Sequence, residues 1–224
     1  MKLLLLGFLL IYASVSLACY KEELSDHDNF SNCKYLAEKG DQKAQYNLAL
    51  MFRTGKGIDQ DLVQAFTWYR QAAEQGHIKA QYNLALMYQT AVATDRDIEQ
   101  AIEWYQRAAS ADNDKAQFNL GLIFHKGDGV GSNYALAIDW YTKAAQNGNA
   151  NAQYNLAVMY DQGLGIQQDY AMAYMLWKLA ADNGHQLAQM NLDTLTEIMT
   201  PEQLKLSQTL ADKWKSETAS QEDN

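Results

Sequence analysis

The octapeptide AQYNLALM is written twice, from Ala44 and again from Ala80. Sliding the chain against itself by that interval brings four consecutive 36-residue units into register without insertion, starting at Ala44, Ala80, Ala116 and Ala152 and ending at Leu187. No other feature constrains the fold as strongly. A unit this short cannot bury its own apolar face, so each copy has to stack on the next, and the chain becomes a linear array. Upstream, CKYLAEKGDQK matches the second half of a unit, and AQMNLDTLTEI, from Ala188, matches the first half, so the array ends in half-units on both sides.

Within a unit, two helical patterns follow one another. Counting columns from Ala44, Ala44, Leu48, Met51 and Phe52 share one face of an amphipathic helix, and the same columns recur in every copy. A second helix begins after Asp61, Asp97, Asn133 or Asp169, residue types that accept the orphan N–H groups of a first turn. It continues through Ala65, Trp68, Tyr69, Ala72 and Ala73 and stops near Gly76. The fourth unit replaces the Trp-Tyr pair by Leu176-Trp177. Between the helices, Gly55-x-Gly57, Gly127-x-Gly129 and Gly163-x-Gly165 provide backbone freedom at a turn. They are not a phosphate cradle, because no strand precedes them. The second unit has Ala91, Ala93 and Asp112 at glycine columns, which predicts a different turn in QTAVATDRD.

The pattern A-x-x-x-L-x-x-x-Y-x-x-G-x-G-I/V followed by D, A, W-Y, A-A and G resembles the Sel1-like repeat, a relative of the tetratricopeptide repeat, over 44–187 and the flanking half-units. The resemblance implies an all-α fold: a right-handed α/α solenoid of helical hairpins whose first helices line a concave surface. It also implies a non-catalytic scaffold for a protein or peptide partner. Thr200-Pro201-Glu202-Gln203 then opens a last helix with a capping box, and this helix is expected to cover the end of the stack through about Lys215. Ser216–Asn224 is expected to be a disordered acidic tail.

The N-terminus reads as an export signal over residues 1–18: Met1-Lys2, an apolar run from Leu3 to Tyr12, and a small-x-small site at Ser16-Leu17-Ala18. The run is too short for a permanent membrane span. Residues 19–43 then form an N-terminal cap and half repeat. The two cysteines, Cys19 and Cys33, suit one disulfide in an oxidising compartment such as a bacterial periplasm. Because Cys19 stands at the cleavage point, a lipid anchor on it remains the alternative, which would make the product an outer-membrane assembly factor.

The formal net charge of -9, with no basic run, argues against a nucleic-acid partner. His27, His77, His125 and His185 form no metal-ligand spacing, and neither metal nor cofactor is expected. Ser31 and Lys34 fit S-x-x-K, which keeps a β-lactamase-like hydrolase as an alternative, but the S-D-N and K-T-G elements are missing.

Columns 3, 7 and 10 of the first helix lie together, roughly opposite the core face. They read Tyr46, Leu50 and Arg53; Tyr82, Leu86 and Gln89; Phe118, Leu122 and His125; Tyr154, Val158 and Asp161. This stripe has two readings: packing between units, or the floor of a peptide groove with column 10 setting specificity. The unvarying column of Asn47, Asn83, Asn119, Asn155 and Asn191 likewise has two, an amide tie between hairpins or a ligand contact.

Overall fold

The structure is a computed structural model; it describes residues 19–222, with side chains described through residue 214. The proposed export segment, 1–18, lies outside the described residues. Among the described residues eleven helices run in order: α1 Asp26–Glu38, α2 Gln42–Thr54, α3 Leu62–Glu74, α4 Ile78–Thr90, α5 Ile98–Ala109, α6 Asp114–Lys126, α7 Tyr134–Gln146, α8 Ala150–Gln162, α9 Tyr170–Asp182, α10 Ala188–Thr196 and α11 Pro201–Glu222. Among the described residues there is no strand. Each even-numbered helix from α2 to α8 pairs with the odd-numbered helix after it, and each odd one packs on the next hairpin. That is an α/α solenoid. The first helices α6 and α8 also touch each other directly.

The second helices start where the Asp/Asn column places them. The side chains of Asp61, Asp97, Asn133 and Asp169 accept backbone N–H bonds of the first turns of α3, α5, α7 and α9. The first helices use the same device one turn earlier in the repeat, through Asp41, His77, Asn113 and Asn149. Ala44, Leu48 and Met51 are buried, as are Ala65, Tyr69, Ala72 and Ala73. The small residues let the helices approach closely. At Gly121, where the other units carry alanine, an added Cβ would lie 2.4 Å from the Tyr141 ring.

Burial also reaches a column that sequence periodicity does not single out. Gln45, Gln81, Gln117 and Gln153 are buried, and each Nε2 donates to a backbone carbonyl at the end of the preceding second helix: Ala37, Ala73, Ala109 and Ala145, at 3.1–3.3 Å. Their Oε1 atoms accept from Gln75, Asn147 and Asn183 in units one, three and four. These amides satisfy helix-end carbonyls that would otherwise be orphaned inside the stack.

Two expectations are corrected. The second unit does not change its turn. Ala91 and Ala93 adopt φ 56 and φ 62, the left-handed conformation of the glycines at the same columns, and Asp112 does so at φ 57. The closing bonds are the same too: Asp97 N donates to Tyr88 O at 3.0 Å, matching Asp61 to Phe52 at 2.9 Å. Tertiary register overrides local preference because the turn must deliver Ile98, itself buried, to the neighbouring hairpin. The second correction concerns the tail, where the last helix continues to Glu222, so residues 216–222 are helical and not an irregular tail. No proline or glycine follows Trp214, and Lys, Glu, Ala and Gln are good helix formers.

Both ends of the stack are closed by specific devices. Cys19 is disulfide-bonded to Cys33. Cys33 occupies column 26, where complete units bury Tyr69, Tyr105 or Tyr141. The bond draws residues 19–24 onto α1, and Asn29 clamps them there: its Oδ1 accepts from Lys21 N at 2.7 Å and its Nδ2 donates to Lys21 O at 2.8 Å. At the other end, Gln203 N donates to Thr200 Oγ1 and Thr200 N donates to Gln203 Oε1, the capping box in both directions. The helix α11 then packs against α9.

Candidate functional site

The twelve stripe residues on α2, α4, α6 and α8 occupy one surface. Eleven are half-buried and Arg53 is exposed. Their inner edges rest on the second helices in a repeated way. The column-3 rings of Tyr46, Tyr82 and Phe118 lie 5.8–6.0 Å from Tyr69, Tyr105 and Tyr141, and that of Tyr154 lies 6.4 Å from Trp177. At the two ends of the array the same rings stack on histidines, Tyr46 on His77 at 4.4 Å and Tyr154 on His185 at 4.1 Å. The column-3 residues therefore serve packing and also present an outer face.

Column 10 is tied down in the middle of the array. Tyr105 Oη donates to Gln89 Oε1 at 2.8 Å and accepts from Asn119 Nδ2 at 2.9 Å. In the next unit His125 Nδ1 is 3.3 Å from Tyr141 Oη, which accepts from Asn155 Nδ2 at 3.5 Å. Burial pushes both tyrosine pKa values up and that of His125 down, with Lys126 adding to the latter, so His125 is neutral at pH 7. These two positions form a relay from column 10 through a buried hydroxyl to the asparagine of the following hairpin. Asn119 and Asn155 are thus inter-hairpin ties. Asn47 donates to Cys19 Sγ at 3.2 Å instead, because the preceding half-unit has Cys33 at the tyrosine column.

The outer units depart from this relay. Arg53 lies beside the Tyr69 hydroxyl, whose pKa burial raises to about 12 against the opposing charge of Arg53. In the fourth unit the pair is Asp161 and Trp177. The Trp177 Nε1–H is buried without a partner, Asn191 turns to Tyr154 Oη at 3.3 Å, and burial raises the Asp161 pKa. Hollows open on the stripe at these ends. One, of about 770 Å³, is bounded by Asn47, Leu50, Met51 and the Tyr20, Asp26 and Lys56 side chains. Another, of about 390 Å³, is bounded by Tyr154, Val158, Asp161, Trp177, Asn191 and Ile198.

Among the described residues, no three His, Cys, Asp or Glu side chains converge as metal ligands do, and no helix is long and apolar enough to cross a membrane. Ser31 is exposed in mid-α1, and Lys34 faces Glu38 at 4.0 Å. Sequence reasoning missed the glutamine ladder and the first-helix caps. The signal for the ladder was identity across units at a polar column, and that for the caps was a recurring Asp, Asn or His three residues before each unit.

No curated protein matches the chain. Two solved structures are similar along most of it. A Sel1 repeat protein from Oxalobacter formigenes is 30% identical with a TM-score of 0.72, covering 82% of this chain and 77% of that one. A protective antigen present in uropathogenic Escherichia coli strains, displaying an SLR fold, is 28% identical with a TM-score of 0.74 over 88% of this chain. The match spans only 42% of that antigen's length. The Sel1 repeat itself matches four times, at residues 42–77, 78–113, 114–149 and 150–185, a frame that begins at each first helix. The chain belongs to the Sel1 repeat family.

Proposed function

We propose that this protein is an exported, non-catalytic scaffold that holds a peptide or a segment of a partner protein along the first-helix stripe. Sel1 repeat proteins generally mediate protein–protein contact. The observation that carries the proposal is the continuity of the stripe: aromatic and aliphatic side chains from four successive helices remain half-exposed on one surface, with hollows at its ends. Export is supported by the disulfide, which suits an oxidising compartment and occupies the sulfur that a lipid anchor on Cys19 would need. The periplasm of a bacterium is the compartment that fits.

Selection of displayed peptides against the purified protein tests this reading. A selected peptide is expected to lose about tenfold or more in affinity for the Leu50→Arg/Leu122→Arg variant, a change of about 1.4 kcal/mol. It should keep its affinity for Gln106→Arg, which alters an exposed second-helix position. Loss with the second variant and retention with the first would contradict the proposal, provided the helical circular dichroism of both variants is unchanged.

A further inference from the structure

The stripe extends one step further than columns 3, 7 and 10. The residue immediately before each unit lies three positions ahead of column 3 and shares its helix face. Lys43, Lys79 and Lys115 occupy it on α2, α4 and α6, and Asn151 on α8. With column 10, the charged residues along the stripe run Lys43 and Arg53, then Lys79, then Lys115, then Asp161, then Glu197 at the end of α10. The sign changes once, from basic to acidic, along the axis of the stack. The partly buried His125 adds no charge at pH 7, and Asp114 beside Lys115, bonded to Asn149, weakens the middle of the gradient.

Among the described residues none of these six is in an ion pair, whereas four i,i+4 pairs lie on α1, α3, α5 and α9, and Lys56–Asp26 and Arg96–Asp128 secure inter-helix turns. Lack of an ion pair is shared with other surface charges such as Lys39, Lys126 and Asp139, so it is the placement of these six residues on their helices that sets them apart. Five of the six oppose their helix dipole. The three lysines stand in first turns, where the dipole disfavours a cation by a few tenths of a kcal/mol or more. Asp161 and Glu197 stand at C-terminal ends, where it disfavours an anion. Helix stability does not explain this placement.

We infer that the groove takes a partner segment of opposite polarity: an apolar core flanked by acidic residues at the end lying on α2 and α4, and by basic residues at the end lying on α8 and α10. This rests on the groove reading and adds partner chemistry and orientation to it. Electrostatic complementarity of this kind fixes register more than it adds affinity. At the acidic end, the hollow between Asp161 and the Tyr154 and Trp177 rings suits an arginine, whose guanidinium can face a carboxylate and stack on an aromatic plane.

The test uses synthetic peptides with one shared Phe/Leu core and four flanking patterns: acidic-to-basic, all neutral, all acidic and all basic. The dipolar peptide is expected to bind about tenfold tighter than the neutral one at low ionic strength, with the advantage fading as salt shortens the Debye length. A photo-crosslinker beside its acidic end should label α2 or α4, and one beside its basic end α8 or α10. The Lys43→Glu/Lys79→Glu variant should erase the advantage of the dipolar peptide over the neutral one. Neutral and dipolar peptides binding alike, a single-sign peptide binding tightest, or crosslinks without polarity would overturn the inference while leaving the groove intact. Failure of all four peptides to bind would overturn both.

Discussion

Replacing Ala91 and Ala93 by glycine should make the protein more stable, although each change removes a methyl group and adds backbone freedom. Both alanines occupy the left-handed region, at φ 56 and φ 62, where the other complete units use glycine. For an L-residue with a Cβ that conformation costs about 1–2 kcal/mol. Glycine relieves it, and loses back about 0.4–1 kcal/mol through the larger conformational freedom of the unfolded chain. The expected net gain is therefore about 0.5–1 kcal/mol per site and about 1–2 kcal/mol for the double variant. For a chain of this size each kcal/mol moves Tm by about 2–4 °C. Urea unfolding followed by tryptophan fluorescence reads the change as a higher midpoint. Ala101→Gly, buried in mid-α5, is the control and should destabilise by about 1 kcal/mol or more. If the double variant is neutral or less stable, the second turn is not held in the left-handed region, and the claim that stacking imposes one turn on all four units is wrong.

Other consequences can be checked in the same way. Gln117→Leu removes the donor to Ala109 O and strands Asn147 Nδ2, and should cost about 1–3 kcal/mol as a lower urea midpoint. Reducing the Cys19–Cys33 bond should cost about 3 kcal/mol by the loop-entropy estimate and speed amide exchange in α1 while leaving α8 unaffected. Gly57→Ala would put a Cβ 2.2 Å from the Asp26 carbonyl oxygen at a φ of +78, so it should destabilise by more than the helix-interior control and loosen α1 first. His77, His125 and His185 all have pKa values lowered by burial, so the unfolded chain takes up protons first as the pH falls. Stability should be full above the unfolded value of about 6.5 and decline as the pH falls through that value, and His125→Gln should flatten that decline.

Most of the architecture was legible because the chain states it four times. Period, helix pairing, second-helix caps and the Thr200 capping box follow from columns whose residue types have one good structural use. The parts that were not legible depend on neighbours distant in sequence. Gln81 and Gln153 are of a type that normally faces water, and only a helix end eight residues upstream makes their burial favourable. Ala91 has a local preference against its conformation, and the bond from Asp97 to Tyr88 together with the placement of Ile98 overrules it. The candidate site was half legible. Helical periodicity groups the twelve stripe residues on the first helices, where eleven are half-buried, yet it could not reveal that Gln89 and His125 are bonded to Tyr105 and Tyr141, because those partners sit on the adjacent helix.

The most direct test of the central claim is a map of amide and side-chain shifts in isotope-labelled protein as a selected peptide is added. The scaffold reading predicts that the largest changes fall on Leu50, Leu86, Leu122 and Val158 and on the charged residues beside them. Changes concentrated on the outer faces of α3, α5, α7 and α9 would contradict it.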